Sequence, residues 1–470
     1  MSRIHTWANN QLRRSSFPWI PAILAYVVSY GFSLFLGNTY YWDDWLNRIT
    51  KEEFAQKARL SGFPPSREFI EFNILHNSAI AFRLVTFVCY FVGALCIHRI
   101  LGRGFSLSDI QINLITLLFL VAPVNSTRVA MIIMHYSLSF SLFLIAWSLF
   151  SSRPYVLQLV ALPIFWISFG TPSLLPFFLL PLGHWILLNK GKLRTASFVM
   201  GLLVVVATPT SYWIVRSMTF GSAVRDYYVP RPLGVIRGGL LVFVSLGILA
   251  YGIWRRRWTL PGNSRPMIAS LGFVAVTLGA STYMAGGHLV DISDWVISFV
   301  PNFSDWDSRH QLLLGFGISL LLCAALVSPS ESDLSRNRLN AILVVLFAFT
   351  FLNFTFGQEY YLDSLKQNEV IREFKSIREL STIDAIMIDD QTPRFNARGR
   401  AVRSYEWQEM IDISLHRSKK IIAEPLRYVE CAEFQPKAIL HITAQNGRLE
   451  SILTRNLGIR VTFEAINPCR

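Results

Sequence analysis

Residues 17–47 read FPWIPAILAYVVSYGFSLFLGNTYYWDDWLN. As far as Gly37 the stretch holds no charged residue, and a run of that length crosses a ~30 Å hydrocarbon core as a helix. It is not read as a cleavable signal, because no small-residue cleavage site follows it and Pro18 and Pro21 stand at its start. The chain therefore enters a membrane here. It leaves on Asn38-Thr39-Tyr40-Tyr41-Trp42-Asp43-Asp44-Trp45, a cluster of rings around two adjacent carboxylates.

Ten more apolar runs follow, at approximately 78–97, 110–124, 129–150, 155–170, 173–189, 196–215, 233–254, 267–285, 310–328 and 339–356. The third and fifth of the eleven are short, and the fifth and sixth meet at Gly170-Thr171-Pro172, which suits a re-entrant pair. Composition agrees. Of 470 residues, 52% are hydrophobic and 16% charged, whereas soluble domains carry about 25% charged residues. With a mean hydropathy of +0.39, this excludes an ordinary soluble enzyme, a disordered chain and a disulfide framework. From about residue 357 the hydropathy collapses. The fold expected is a polytopic α-helical membrane protein of about eleven transmembrane helices over 1–356, followed by a small α/β domain at 357–470.

Orientation follows from the basic residues. With the N-terminus in the cytoplasm, the segments on that side hold fifteen Lys and Arg against three acids, Asp109, Glu331 and Asp333. The rest of the chain before residue 357 holds twelve basic and eleven acidic residues. This asymmetry accounts for a net charge of +14 without a nucleic-acid partner. An odd number of spans then puts 357–470 outside the cytoplasmic (inner) membrane, on the periplasmic or extracellular side. Cys89, Cys96 and Cys323 fall in apolar runs. Cys431 and Cys469 fall in the outer domain, where an oxidising compartment would let them pair.

Within that domain, residues 363–380 show helical spacing, with Leu365, Ile371, Phe374 and Ile377 on one stripe. Short β-like runs at 383–388, 439–442 and 459–465 are separated by helical stretches near 403–416 and 447–456. Asp389-Asp390 follow the first of these strands, as ligand-binding acids or as a polar turn. The chain contains no glycine-rich phosphate loop, no HExxH and no CxxC.

The chemistry concentrates at Asp43 and Asp44. Tyr41 and Trp42 beside them are the usual anchors of a membrane interface, and the acids read either as solvated or helix-capping residues or as a reactive pair. At an apolar boundary, desolvation and like-charge repulsion both raise a carboxylate's pKa, which is how a general base is poised near neutral pH. Residues 46–77 are too polar to span and interleave rings with Lys51, Lys57, Arg59 and Arg67. They fit interfacial helices, broken at Gly62-Phe63-Pro64-Pro65, within a first outer loop of 38–77.

A second outer cluster comes from distant loops. Asn125, Arg128 and His135 lie near the third run, Arg225 and Arg231 follow the seventh, and Asp305, Asp307, Arg309 and His310 follow the ninth. Guanidinium groups bind phosphate bidentately, so these arginines suit a lipid phosphate. Salt bridging to nearby acids is the competing reading. Arg309 and His310 enter a span together, where ionisable groups usually line a site.

Together these features resemble the GT-C superfamily, the integral-membrane glycosyltransferases that use polyprenyl-phosphate-linked sugars. The resemblance rests on the topology of the membrane part and on Tyr41-Trp42-Asp43-Asp44-Trp45. No WWDxG-type signature of oligosaccharyltransferases occurs in the outer domain. The resemblance implies an inverting sugar transfer on the outer face, with Asp43 or Asp44 as base and Arg309, His310, Arg231, Arg225 and Arg128 holding the donor phosphate, beside Tyr41 and Trp42. The acceptor is then a hydroxyl of a glycan or of a lipid-linked saccharide. No cofactor is required. A divalent metal, if one takes part, would sit at Asp43 and Asp44. A transporter or flippase of lipid-linked saccharide is the alternative, and a membrane anchor for the outer domain is a third reading.

Overall fold

The structure, a computed structural model, describes residues 2–47, 52, 69–76, 78–189, 195–220, 232–254, 264–285, 311–327, 335–415, 422–425 and 436–465. Each of the eleven apolar runs falls on a helix. After the amphipathic α1 (Ser2–Leu12) come α2 (Trp19–Tyr30), prolonged by a 3-10 turn at Gly31–Phe35, and α3 (Ala79–Leu101). The series continues with α4 (Asp109–Val121), α5 (Ile133–Phe150), α6 (Tyr155–Ser168), α7 (Leu174–Leu188), α8 (Ala196–Phe220) and α9 (Pro232–Trp254). It closes with α10 (Ser264–Ala285), α11 (Leu314–Leu326) and α12 (Arg336–Ser376). Six of these, α3, α5, α8, α9, α10 and α12, are long and apolar enough to cross a membrane, and the other apolar helices are shorter. Large side chains such as Ile20, Leu24, Leu203, Ile236, Leu240 and Phe243 face outward and exposed, the surface that lipid rather than water would cover. The protein is a helical membrane protein with a small sheet near its C-terminus.

Buried polar contacts tie several of the loops to the helices. At the end near the N-terminus, Asn113 Nδ2 donates to the carbonyls of Leu12 (2.9 Å) and Arg14 (2.7 Å), while its Oδ1 meets His98 Nε2 at 3.0 Å. Nearby, Trp147 Nε1 donates to His184 Nδ1 (3.0 Å), which leaves the His184 proton on Nε2 to reach the Arg103 carbonyl at 2.7 Å. Arg103 itself donates to the Ser148 carbonyl (2.9 Å) and Ser152 Oγ (2.7 Å). These bonds tie the loop ends together and are satisfied scaffold.

The opposite end carries the sheet. The boundary expected at residue 357 falls inside one 41-residue helix, α12. Its apolar character stops there, but Gln, Glu, Leu and Lys continue the helix. Its polar half becomes the spine of the α/β domain, which comprises strands β1 (Ala385–Asp390), β2 (Ile422–Pro425), β3 (Ala438–Ala444) and β4 (Ile459–Ala465) with helices α13 (Ser404–Leu415) and α14 (Arg448–Thr454). The order is β2-β1-β3-β4, with β1 parallel to both neighbours and β4 antiparallel to β3. Strand β2 is additional to the three β-like runs read from the sequence. Asp389 and Asp390 belong to β1 itself. Asp390 accepts from buried Lys366 at 2.6 Å, and Asp389 meets its register partner His441 at 2.9 Å. Glu369 of α12 accepts the N–H groups of Leu457 (2.7 Å) and Ile459 (3.0 Å). The domain core of Val370, Phe374, Ile386, Trp407 and Leu440 also contains Trp45, from the first loop.

Candidate functional site

The segment after α2 folds back through two left-handed residues. Gly37 has φ 61°, and Trp42, opening the 3-10 turn Trp42–Asn47, has φ 50°. A bulky residue at positive φ is a backbone outlier that only its surroundings can hold. Two bonds close the turn around it: the Asp44 N–H donates to the Tyr41 carbonyl (3.0 Å), and the Tyr41 N–H donates to Asp44 Oδ2 (3.2 Å). The other oxygen, Oδ1, accepts the N–H of Ile132 at 3.2 Å, at the N-terminus of α5. Asp44 thus caps a helix whose N-cap residue lies 88 positions downstream, where the helix dipole favours a negative charge.

Asp44 is fully buried. Burial raises its pKa from 3.8 to about 7, outweighing the backbone N–H groups and the nearby Arg83 charge, which act the other way. Arg83, on α3, is also buried and donates to the carbonyls of Gly37 (2.6 Å), Val129 (2.8 Å) and Thr39, with its guanidinium 5.5 Å from the centre of the Tyr41 ring. Its donors are directed to backbone, so it fixes the loop's course.

Tyr41 and Trp42 are both buried. The Tyr41 hydroxyl donates to the Tyr360 carbonyl at 2.8 Å, and both rings pack edge-on against Tyr360 of α12 at 5.3 and 5.9 Å. They support the turn from behind.

Arg128 lies four residues before Ile132, whose N–H anchors Asp44. It lies in the 3-10 turn Ser126–Val129, entered through Asn125 at φ 54°. Arg128 is 4% exposed, and its guanidinium is sandwiched between rings, 3.4 Å from the centre of Tyr30 and 4.3 Å from that of Tyr90. Nε and Nη2 donate to the carbonyls of Asn125 (3.3 Å) and Val124 (2.9 Å). Among the described residues Nη1 has no partner, and a buried cationic N–H without one is costly. Gln311, the first described residue after Arg309 and His310, accepts the Asn125 N–H at 3.5 Å.

One pair escaped the sequence reading. Glu71, in a π-helical turn at Phe69–Ile74, is buried and bonded to His135 Nε2, one turn along α5 from Ile132. Glu71 sits among other acids of a polar loop and 64 positions from its partner, so spacing carried no signal for it. His76, just beyond, has φ 49°.

The structure therefore brings Asp44, Tyr41, Trp42 and Arg128 to one end of the helical part. Arg225, Arg231, Arg309 and His310 lie outside the described residues, as does the side chain of Asp43. Cys431 and Cys469 also lie outside them. A divalent ion at Asp44 would have to displace the Tyr41 and Ile132 bonds, and among the described residues no three His, Cys, Asp or Glu side chains converge as a metal site needs. An open apolar groove between α9, α10 and α11, lined by Gly247, Tyr251, Ala269 and Phe273, is built from none of these residues. The chain matches no protein family, no curated protein and no solved structure.

Proposed function

We propose that the protein is a GT-C-type glycosyltransferase that moves a sugar from a polyprenyl-phosphate donor to a hydroxyl of a glycan or lipid-linked saccharide. The observation that carries this reading is the Asp44 carboxylate, buried in a strained turn and poised near neutral pH, bound to the segment that holds a buried Arg128 with one N–H unpartnered among the described residues. Strain and a perturbed acid together are the mark of a functional site.

The two acids divide the work in this reading. Asp44 has both oxygens engaged by backbone N–H groups and no exposed surface, so it anchors the turn and sets the field around its neighbour. Asp43 takes the proton of the acceptor hydroxyl as its oxygen bonds to the anomeric carbon and the bond to the phosphate oxygen breaks. The departing phosphate is met by cations, Arg128 together with Arg309, His310, Arg231 and Arg225 from the later loops. Tyr41 and Trp42 back the turn. The leaving group is already a phospholipid, so no nucleotide is needed.

The same reading counts all eleven apolar helices as spans. An N-terminus in the cytoplasm then puts Asp43, Asp44 and the sheet domain on the outer face of the cytoplasmic membrane. The basic residues of the loops support that orientation.

Mutation tests the proposal. Asp43→Asn and Asp44→Asn, each expressed normally, are expected to abolish incorporation of sugar from a polyprenyl-phosphate donor in isolated membranes. Retained incorporation in Asp43→Asn overturns it. Saccharide that still forms but stays on the cytoplasmic face would make the protein a flippase.

A further inference from the structure

The strained turn is held from the C-terminal domain. Trp42 is 5% exposed, and besides Tyr360 its ring meets the guanidinium of Arg400, whose Cζ lies 5.4 Å from the ring centre. Arg400 has no freedom of its own. Nε and Nη2 donate to the two oxygens of Asp363 (2.9 and 3.3 Å), and Nη1 donates to both oxygens of Glu406 (2.8 and 2.6 Å). All three side chains are buried. Asp363 projects from α12 and also accepts the Ala397 N–H at 2.9 Å, while Glu406 starts α13 and accepts the Arg403 N–H at 3.2 Å. A planar fork gripped on two edges presents one fixed face, and Trp42 packs on that face.

The same domain holds the turn at its two flanks. Thr39 Oγ1 meets Ser364 Oγ of α12 at 2.5 Å, and Trp45 is built into the domain core. Residues 39–45 are thus gripped at three points by a domain that begins more than 300 positions later in the chain. One cation between two buried carboxylates is not an arrangement that stability alone favours.

We propose that Arg400 is a positioning residue, which presses on the Trp42 ring and so holds the left-handed backbone that presents Asp43 and seats Asp44. This rests on the glycosyltransferase reading for its consequence, because the turn matters as the carrier of the base. It needs no sugar chemistry to be tested. The C-terminal domain then acts as a clamp on the reacting loop, and a change in the clamp is felt as a change in the turn.

The test uses the full-length chain in membranes, its five native cysteines replaced by alanine, with Ala130→Cys as reporter. Ala130 is buried in the cluster that also holds Tyr41 and Trp42, and is none of the three grips. The reading is the rate at which a membrane-impermeant maleimide labels the introduced thiol. Trp42→Ala removes the ring but keeps a Cβ at positive φ, whereas Trp42→Gly removes the ring and the strain together. The reporter thiol is expected to label about tenfold faster in Trp42→Ala than in Trp42→Gly. Arg400→Gln is expected to speed labelling to a similar degree, and adding Trp42→Gly to it should restore slow labelling. Equal rates in the alanine and glycine variants overturn the proposal. So does fast labelling of Arg400→Gln that glycine fails to rescue, since Arg400 would then only stabilise its own domain. Should Arg400→Gln not accumulate, Arg400→Lys, which keeps a charge between Asp363 and Glu406 but not the planar fork, is read in its place with and without Trp42→Gly. Sugar transfer is measured separately, so loss of the enzymatic reading would not be mistaken for loss of the clamp.

Discussion

Asp44→Asn is expected to change the sign of its effect on stability between pH 4 and pH 8. The folded protein raises the pKa of Asp44 from 3.8 to about 7. Between those values it holds a proton that the unfolded chain has released, so stability falls as pH rises through the window. At 1.36 kcal/mol for each pH unit, the cost above pH 7 is about 4 kcal/mol. Asparagine carries no charge and escapes it. It does lose an acceptor: one oxygen still serves a backbone N–H, but its amide N–H group faces the other, a loss of about 1–3 kcal/mol. A protonated carboxyl avoids that loss, because its hydroxyl oxygen still accepts. The variant should therefore be less stable than the parent by about 1–3 kcal/mol at pH 4 and more stable by a similar amount at pH 8. Thermal unfolding of both proteins in the same detergent, compared at each pH, measures the difference directly. A difference of one sign and one size from pH 4 to pH 8 refutes the reasoning, since it would mean that the nearby Arg83 keeps the carboxylate ionised throughout. Greater stability at pH 8 together with lost sugar transfer is what a retained, costly functional acid predicts.

Four further expectations concern the scaffold. A Cβ on Gly317 would lie 2.6 Å from Val276 Cγ2 and 2.8 Å from the Gly272 carbonyl, where α10 and α11 cross. Gly317→Ala should thus destabilise by about 1–3 kcal/mol. Gly239→Ala, with nothing within 4 Å, should be neutral or stabilising by up to about 1 kcal/mol, both read as apparent Tm in detergent. Asn113→Leu leaves the Leu12 and Arg14 carbonyls and His98 without their partner, and should release α1 to protease cleavage at a cost on the order of 1–3 kcal/mol. His441 lies between Asp389 (2.9 Å) and Glu464 (3.0 Å), which raise its pKa above 6.5. Its stabilising effect is complete below pH 6.5 and is lost as pH rises through the raised value, so His441→Gln should lower Tm at pH 5.5 and leave it unchanged at pH 8.5.

The helices were legible because hydropathy and helical structure coincide over an apolar run, and the runs at 78–97 and 233–254 meet α3 and α9 within a few residues. Where the two properties part, the reading failed. Residues 339–356 and 363–380 looked like separate elements because Gln358, Glu359 and Asp363 break the hydropathy, yet none of them breaks a helix. Strand β2 is four residues ending in Pro425, too short to show alternation. At the site, the acids announced themselves through their place beside an apolar boundary. Their partners did not. Asp44 is bound by backbone N–H groups, which every residue has, and Arg400 finds Trp42 across more than 350 positions, so no local spacing encodes either contact.

The left-handed residues distinguish the two ends of the molecule. Among the described residues, non-glycine positions with positive φ are Trp42, His76, Asn125 and Arg455. Arg455 terminates α14, where a left-handed C-cap is ordinary. The other three all lie at the end that carries the sheet, beside Asp44, the Glu71–His135 pair and Arg128 respectively. At the opposite end His184 and Asn113 are as deeply buried, but their polar atoms are bonded and the one left-handed residue beside them is a glycine, Gly104. A scaffold under selection for stability alone would have no reason to concentrate left-handed bulky residues, a raised acid pKa and a buried guanidinium N–H with no partner among the described residues at one end. The asymmetry supports chemistry at the sheet end, and it makes the Trp42 turn, where the strain meets the acids and the clamp, the position whose substitution should move function furthest for the least change in fold.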